Sequence, residues 1–221
     1  MAVKTKKMRQ AGAPAVRQGS RSVELIEAAA RVFAAKGYGF TSIQDIADEI
    51  GLLKGSLYHY IDTKEDLLFE VIRSTIDSGQ ELVDGLRASN APTIERLRTY
   101  IQHNIEESLK SREHTAVFVH DFQALSAERR KIILDLRQEH DTLLRELIQT
   151  AQEEGIVSRD INVKLVALSV LTMNGSLYRW FDPSGEMTAR EVSRELTSFV
   201  LKGLGVPAEL ATPAIAGEGV A

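Results

Sequence analysis

The chain has no cysteine in its 221 residues. It therefore has no disulfide, no thiolate metal ligand and no cysteine nucleophile, which fits a cytoplasmic protein. Long apolar runs are missing too. Residues 161–173 are interrupted by Asn162 and Lys164 and are too short to span a bilayer, so no membrane partner is expected. The N-terminal "MAVKTKKMRQAGAPAVRQGSR" is basic, but no apolar stretch resembling a signal peptide follows it. Marks of common enzyme classes are absent as well. "GSLY" lacks the G-x-S-x-G pattern of a nucleophile elbow. There is no P-loop and no dinucleotide-binding glycine motif. His103, His114, His120 and His140, with Asp121, fall on different predicted helices without the short spacing of a metal site. They read as solvated or core histidines. No catalytic residue, metal or cofactor is expected.

Charge is present but unevenly spread. The net charge is −4. Residues 1–21 carry Lys4, Lys6, Lys7, Arg9, Arg17 and Arg21 and no acid, a local +6. The other 200 residues hold 21 basic and 31 acidic side chains, a local −10. A basic arm on an acidic body is expected where one end meets a polyanion. The alternative is a solvated tail that aids solubility.

Between a disordered arm at 1–20 and a flexible tail at 205–221, hydrophobic periodicity predicts about nine helices and no strand, an all-α protein. The first is capped by Ser22 or Ser20 and ended by Gly37. Thr41 caps the second, with Gln44 three residues on as a capping box, and Gly51 closes it. A short third helix lies within 53–60. Thr63 caps a fourth that runs to about Ala88. Thr93 restarts the chain after an Asn-Ala-Pro stop. Helices follow over 114–125, from Ser126 to Gly155, over 162–181 and over 188–204.

The stretch "GLLKGSLYHY" is the most informative. Two helices joined at Gly51 have helix-turn-helix spacing, with the second positioned to enter a major groove. Tyr58, His59 and Tyr60 are consecutive, and helical neighbours point about 100° apart, so they cannot all face a core. Lys54, Ser56, Tyr58, His59 and Tyr60 are phosphate- and base-edge-contacting types, and Gly55 allows a close approach. Lys64, with the first N–H groups of the fourth helix, can hold a phosphate, as can Thr41 and Ser42 from the second. A plain helical hairpin with Tyr58 as a core ring is the alternative.

Residues 22–72, "VELIEAAARVFAAKGYGFTSIQDIADEIGLLKGSLYHYIDTKEDLLFEVI" with Ser22 before them, resemble the DNA-binding domain of the TetR family of bacterial repressors. The resemblance implies a helix-turn-helix domain at 21–66, and a ligand-binding and dimerisation domain at 67–204. It implies a homodimer on double-stranded DNA carrying a palindromic operator, released by a small effector. Members often have Ser or Thr as the cap where this chain has Leu53, Phe where it has Ile61, and Pro or Ala where it has Asp62. Leu53 cannot supply a cap hydrogen bond, a loss of about 1 kcal/mol.

The last two predicted helices are the expected dimer pair. Leu165, Leu168, Ser169, Thr172 and Ser176 mark one, and Val192, Leu196, Phe199 and Val200 the other. Closing the monomer's own core is the alternative use of these stripes. "LYRWFDPSGEMTAREV", "HDFQALS" and "AQEEGIVSRDINVKLVALSV" are similar to the branch of the family that senses acyl-coenzyme A thioesters in fatty-acid, phenylacetate or steroid breakdown. Such a ligand needs an apolar pocket opening onto cations. Val117, Phe118, Phe122, Leu143, Leu147, Met173 and Leu177 are candidates for the pocket, and Arg137, Arg145 and Arg179 for its polar end. Trp180 can stack on a base or plug the dimer interface, and Arg179 can instead pair with Asp182 or Glu186. A free fatty acid or hydrophobic drug is the rival effector. A helical ligand-binding or catalytic protein that binds no DNA is the rival class.

Overall fold

The structure is a computed structural model that describes residues 21–211. The basic arm, Ser20 as a cap, and the end of the tail lie outside the described residues. Within them the chain is helical and no strand occurs. It divides into two compact units. The first comprises residues 21–74 and 117–133, and the second residues 75–116 and 134–211.

In the first unit, α1 (Ser22–Lys36), α2 (Ile43–Glu49), α3 (Lys54–Leu57) and the start of α4 (Lys64–Asp77) pack apolar faces together. Leu25, Ala28, Ala29, Phe33, Ile46, Ala47, Leu57, Leu67, Leu68 and Ile72 are sealed from solvent. The 0% exposure of Leu57 fixes the rotation of α3, because one side of so short a helix must face the core. The end of α7 (Arg112–Asp121), a 3-10 turn at Phe122–Ala124 and the start of α8 (Ala127–Glu153) complete this unit.

The second unit is built on α5 (Gln80–Ala88), α6 (Thr93–Lys110), the rest of α8, α9 (Val163–Asn174), α10 (Ala189–Gly203) and α11 (Ala208–Ala211). α10 packs along α6. Leu97, Ile101, Ile105, Leu144, Ile148, Ala167 and Leu201 are wholly buried there. Thr188 caps α10 in a capping box with Glu191, and Asn162 caps α9.

Four expectations are corrected. The second helix is capped by Ser42, whose hydroxyl accepts from the Asp45 N–H, and Asp45 rather than Gln44 closes the box. The first helix has no side-chain cap at all, because its flanking residue is Arg21. The fourth helix breaks at Ser78 and Gly79. Buried Gly79 lies so close to His140 that a Cβ there would sit 2.7 Å from the imidazole. The eighth ends at Asn174, with a 3-10 turn at Leu177–Arg179 in place of its last turns. With that break and α11, the described residues form eleven α-helices.

Candidate nucleic-acid interface

The α2–α3 turn is made by local rules. Gly51 has φ of 64°, a left-handed conformation that costs glycine nothing. Its N–H donates to the Asp48 carbonyl and the Leu52 N–H to the Ala47 carbonyl, at 3.2 and 2.9 Å, the paired bonds of a Schellman ending. The chain then extends through Leu53 and re-enters helix at Lys54 with no side-chain cap. Helical turns continue past Leu57, since the Tyr60 N–H donates to the Leu57 carbonyl at 2.8 Å.

With Leu57 inside, the outer side of α3 is left to Leu53, Lys54, Gly55, Tyr58 and His59, all exposed, with Ser56 and Tyr60 half-buried. Ser42 is exposed at the start of α2. These are the types expected to meet a nucleic acid. Phe40, outside the expected set, is 90% exposed just before α2. No periodic signal marks it, because it stands in a turn. Gly55 has no fold-based reason to be glycine. Its φ is not positive and a Cβ would meet nothing within 4 Å.

Two of the residues expected to meet phosphates are engaged within the fold. Thr41 is buried, and its hydroxyl donates to the Gly37 carbonyl at 2.9 Å. The half-buried Lys64 ammonium donates to the carbonyls of Tyr38 and Thr41, each at 2.7 Å, and lies 4.2 Å from the centre of the Tyr38 ring. It fastens the α1–α2 connection instead of projecting. The start of α4 is engaged as well. The Asp66 carboxylate accepts from the Asp62 and Thr63 N–H groups just before the helix, at 2.9 and 2.6 Å, and the Asp66 N–H donates to the Thr63 hydroxyl at 3.3 Å.

Behind this surface lies a charged network. Buried Asp66 also pairs with Arg129, which stacks over the Phe69 ring. Burial pushes the Asp66 carboxyl up, but the Arg129 guanidinium and the Thr63 and Asp62 N–H groups outweigh it, and the net shift is downward. Glu65 accepts from the Ser126 N–H at 2.8 Å, and Asp121 from the Tyr38 N–H at 3.3 Å. Residues 117–133 are thus tied to the helix-turn-helix by side-chain acceptors. On the outside, the Lys36 ammonium and the Ser42 groups hold Asp45 well below the usual carboxylate range.

The effector candidates scatter more widely. Leu143, Leu147 and Leu177 share the buried core of the second unit, and Met173 packs against it. Arg137 is half-buried on α8, and burial lowers its guanidinium pKa. Arg145 is committed to Asp141 on its own helix, at 2.5 and 3.1 Å. Phe118 and Phe122 belong to the first unit, where they meet edge to face at 5.6 Å. Arg179 is exposed and bonds the Tyr178 hydroxyl at 3.1 Å, while Trp180 is 56% exposed. Tyr100 lies outside the expected set; its hydroxyl donates to the His140 carbonyl at 2.9 Å within the core. It sits between Leu97 and Ile101 on the buried stripe of α6, so helical periodicity could have found it.

Comparison with known proteins gives consistent matches. The model of "Bacterial regulatory proteins, tetR family" matches residues 25–71. That of "Tetracyclin repressor-like, C-terminal domain" matches residues 90–204. The HTH-type transcriptional repressor KstR2 of Rhodococcus jostii is 31% identical over 197 residues, covering 86% of this chain and 94% of the relative. The structure of the ketosteroid transcriptional regulator KstR2 of Mycobacterium tuberculosis superposes with a TM-score of 0.78 at 30% identity, over 87% of this chain and 98% of that one. AibR in complex with isovaleryl coenzyme A and operator DNA superposes with a TM-score of 0.70 at 29% identity, over 80% and 96%.

Proposed function

Because the chain belongs to the TetR family of bacterial transcriptional regulators, we propose that it is a cytoplasmic repressor. It holds a palindromic operator as a homodimer and leaves it when an acyl-coenzyme A thioester binds. The outer side of α3 enters the major groove. Lys54, Tyr58 and His59 supply contacts to phosphates and base edges, and Ser42 and Ser56 add hydroxyls. The observation that carries this reading is the exposed run of Leu53 to His59 around a glycine that the fold itself does not require.

Leu165, Leu168 and Phe199 are 62%, 57% and 70% exposed, which supports α9 and α10 as the faces that meet a second copy. On α10 the expected stripe divides. Val192 is buried in the core of its own unit, while Phe199 points outward. A twofold pair places two recognition helices about 34–36 Å apart for adjacent half-sites. An effector shifts the dimer away from that spacing only by its differential affinity for the two states.

The thioester reading rests on the similarity to AibR, whose structure holds isovaleryl coenzyme A. The KstR2 relative is named a ketosteroid transcriptional regulator, which makes steroid-ring-bearing thioesters the other class to screen. Two measurements test the proposal. Purified protein at low salt should protect a palindrome in a random-duplex selection or a promoter footprint, and no protected sequence would overturn the DNA-binding reading. Isovaleryl coenzyme A and ring-bearing thioesters should raise the melting temperature and release the duplex more than the matching free acids. An equal response to the free acids favours a carboxylic-acid or drug sensor.

A further inference from the structure

We propose that Leu53 is a specificity-determining residue that reads the C5-methyl group of a thymine in each operator half-site; this rests on the DNA-binding reading above. Scattered exposed leucines need no explanation. This one carries two departures at a single position. It stands at the cap of α3, where Ser, Thr, Asp or Asn would hydrogen-bond the first free N–H groups, and it makes no such bond. It is also 81% exposed.

Its backbone explains the exposure. Leu53 is four residues before the fully buried Leu57, a spacing that would place both on one helical face. But Leu53 is extended, with φ −73° and ψ 139°, so it is outside the helix and escapes that face. The fold has thus placed an isobutyl group at the tip of the recognition helix, next to the exposed Lys54 and Gly55. The neighbouring side chains on this face are polar or aromatic hydrogen-bonding types: Lys54, Ser56, Tyr58, His59. They can address phosphates and base-edge donors and acceptors. None matches the one apolar mark in the major groove, which is the thymine methyl. Leu53 does. Covering it there offsets the missing cap by removing apolar surface from water only in the complex.

The test uses the full chain and duplexes selected from a random pool. Wild type should enrich a thymine at symmetry-related positions of the two half-sites. Leu53→Ser, which restores a capping hydroxyl and should fold at least as well, should enrich the same palindrome without that thymine. Replacing the thymine by deoxyuridine removes only the methyl. It should weaken wild type about fourfold per half-site, on the order of fifteenfold for both, and leave Leu53→Ala nearly unaffected. A thymine still enriched by Leu53→Ser, or equal binding of the deoxyuridine duplex by wild type, overturns this assignment and leaves DNA binding standing. Failure of wild type to enrich any sequence overturns both.

Discussion

The ammonium of Lys64 is held by Tyr38 twice over. It donates to the Tyr38 carbonyl at 2.7 Å and lies 4.2 Å from the centre of its ring. A second carbonyl, that of Thr41, accepts at 2.7 Å. A lysine that heads the helix after the recognition helix thereby becomes a brace for the connection between α1 and α2.

Lys64→Ala should therefore act on stability. Loss of two charge-assisted hydrogen bonds and a cation–ring contact should cost about 2–4 kcal/mol in urea denaturation. The slope of log K against log salt for DNA binding should stay the same. A fall in slope of about 1 would instead identify Lys64 as a phosphate contact.

Gly55→Ala should move stability and binding in opposite directions. Nothing in the fold meets the added methyl, so the variant should gain about 0.5–1 kcal/mol from the helix propensity of alanine. Operator affinity should drop at least tenfold as the methyl intrudes on the DNA. Gly85, mid-helix in α5 and equally open, is the control: Gly85→Ala should stabilise and leave binding unchanged. Unaltered affinity in Gly55→Ala would remove α3 from close contact with DNA.

Asp66→Ala should be among the most damaging single changes in the first unit. It strips the acceptor from two N–H groups and leaves the largely buried Arg129 with only its longer pair to Glu65 at 3.7 Å, a loss of about 3 kcal/mol. Arg129→Met in the same chain should recover a large part of it, and a double-mutant cycle reads the coupling. Additive losses would mean that the pair does not act as a unit.

His140 should make stability depend on pH. Burial holds its imidazole below the ordinary range, against Gly79 at the α4–α5 turn, with Glu139 and Asp77 pulling the other way and Arg137 and His103 reinforcing the shift. The unfolded chain then binds its proton at a higher pH than the folded one. Stability is full above the unfolded value, near 6.5, and is lost as pH falls from there towards the folded value. The urea midpoint should drop between about pH 7.5 and about pH 5.5. The drop should be smaller in His140→Gln. An identical drop in that variant would assign it to other groups.

Phe199→Glu combined with Leu168→Glu should yield monomers by sedimentation velocity with little change in helical circular dichroism, since both side chains are exposed in the single chain. Operator affinity should fall by orders of magnitude, because each half-site is then bound alone. A dimer that survives both charges would place the interface elsewhere.

Much of this protein is legible in its sequence, because much of it is built by local rules. Helical periodicity, the glycine at Gly51, the Thr188–Glu191 box and the uncapped Leu53 act within a few residues, and hydrogen bonds between neighbours enforce them. The helical class and the helix-turn-helix follow from these, and the family from the resemblance carried by residues 22–72. Tertiary structure decided what depends on distant partners. Thr41 is a plausible cap by spacing, yet it is buried, and Ser42 takes the cap. Lys64 is a plausible phosphate ligand by position, yet its carbonyl partners lie 26 and 23 residues back. Asp66 meets Arg129 across 63 residues, and His140 lies against Gly79 where the expected fourth helix is interrupted. Such contacts leave no period in the chain. They are settled by which side chains the packed helices bring within a few ångströms, and so by the three-dimensional fold alone.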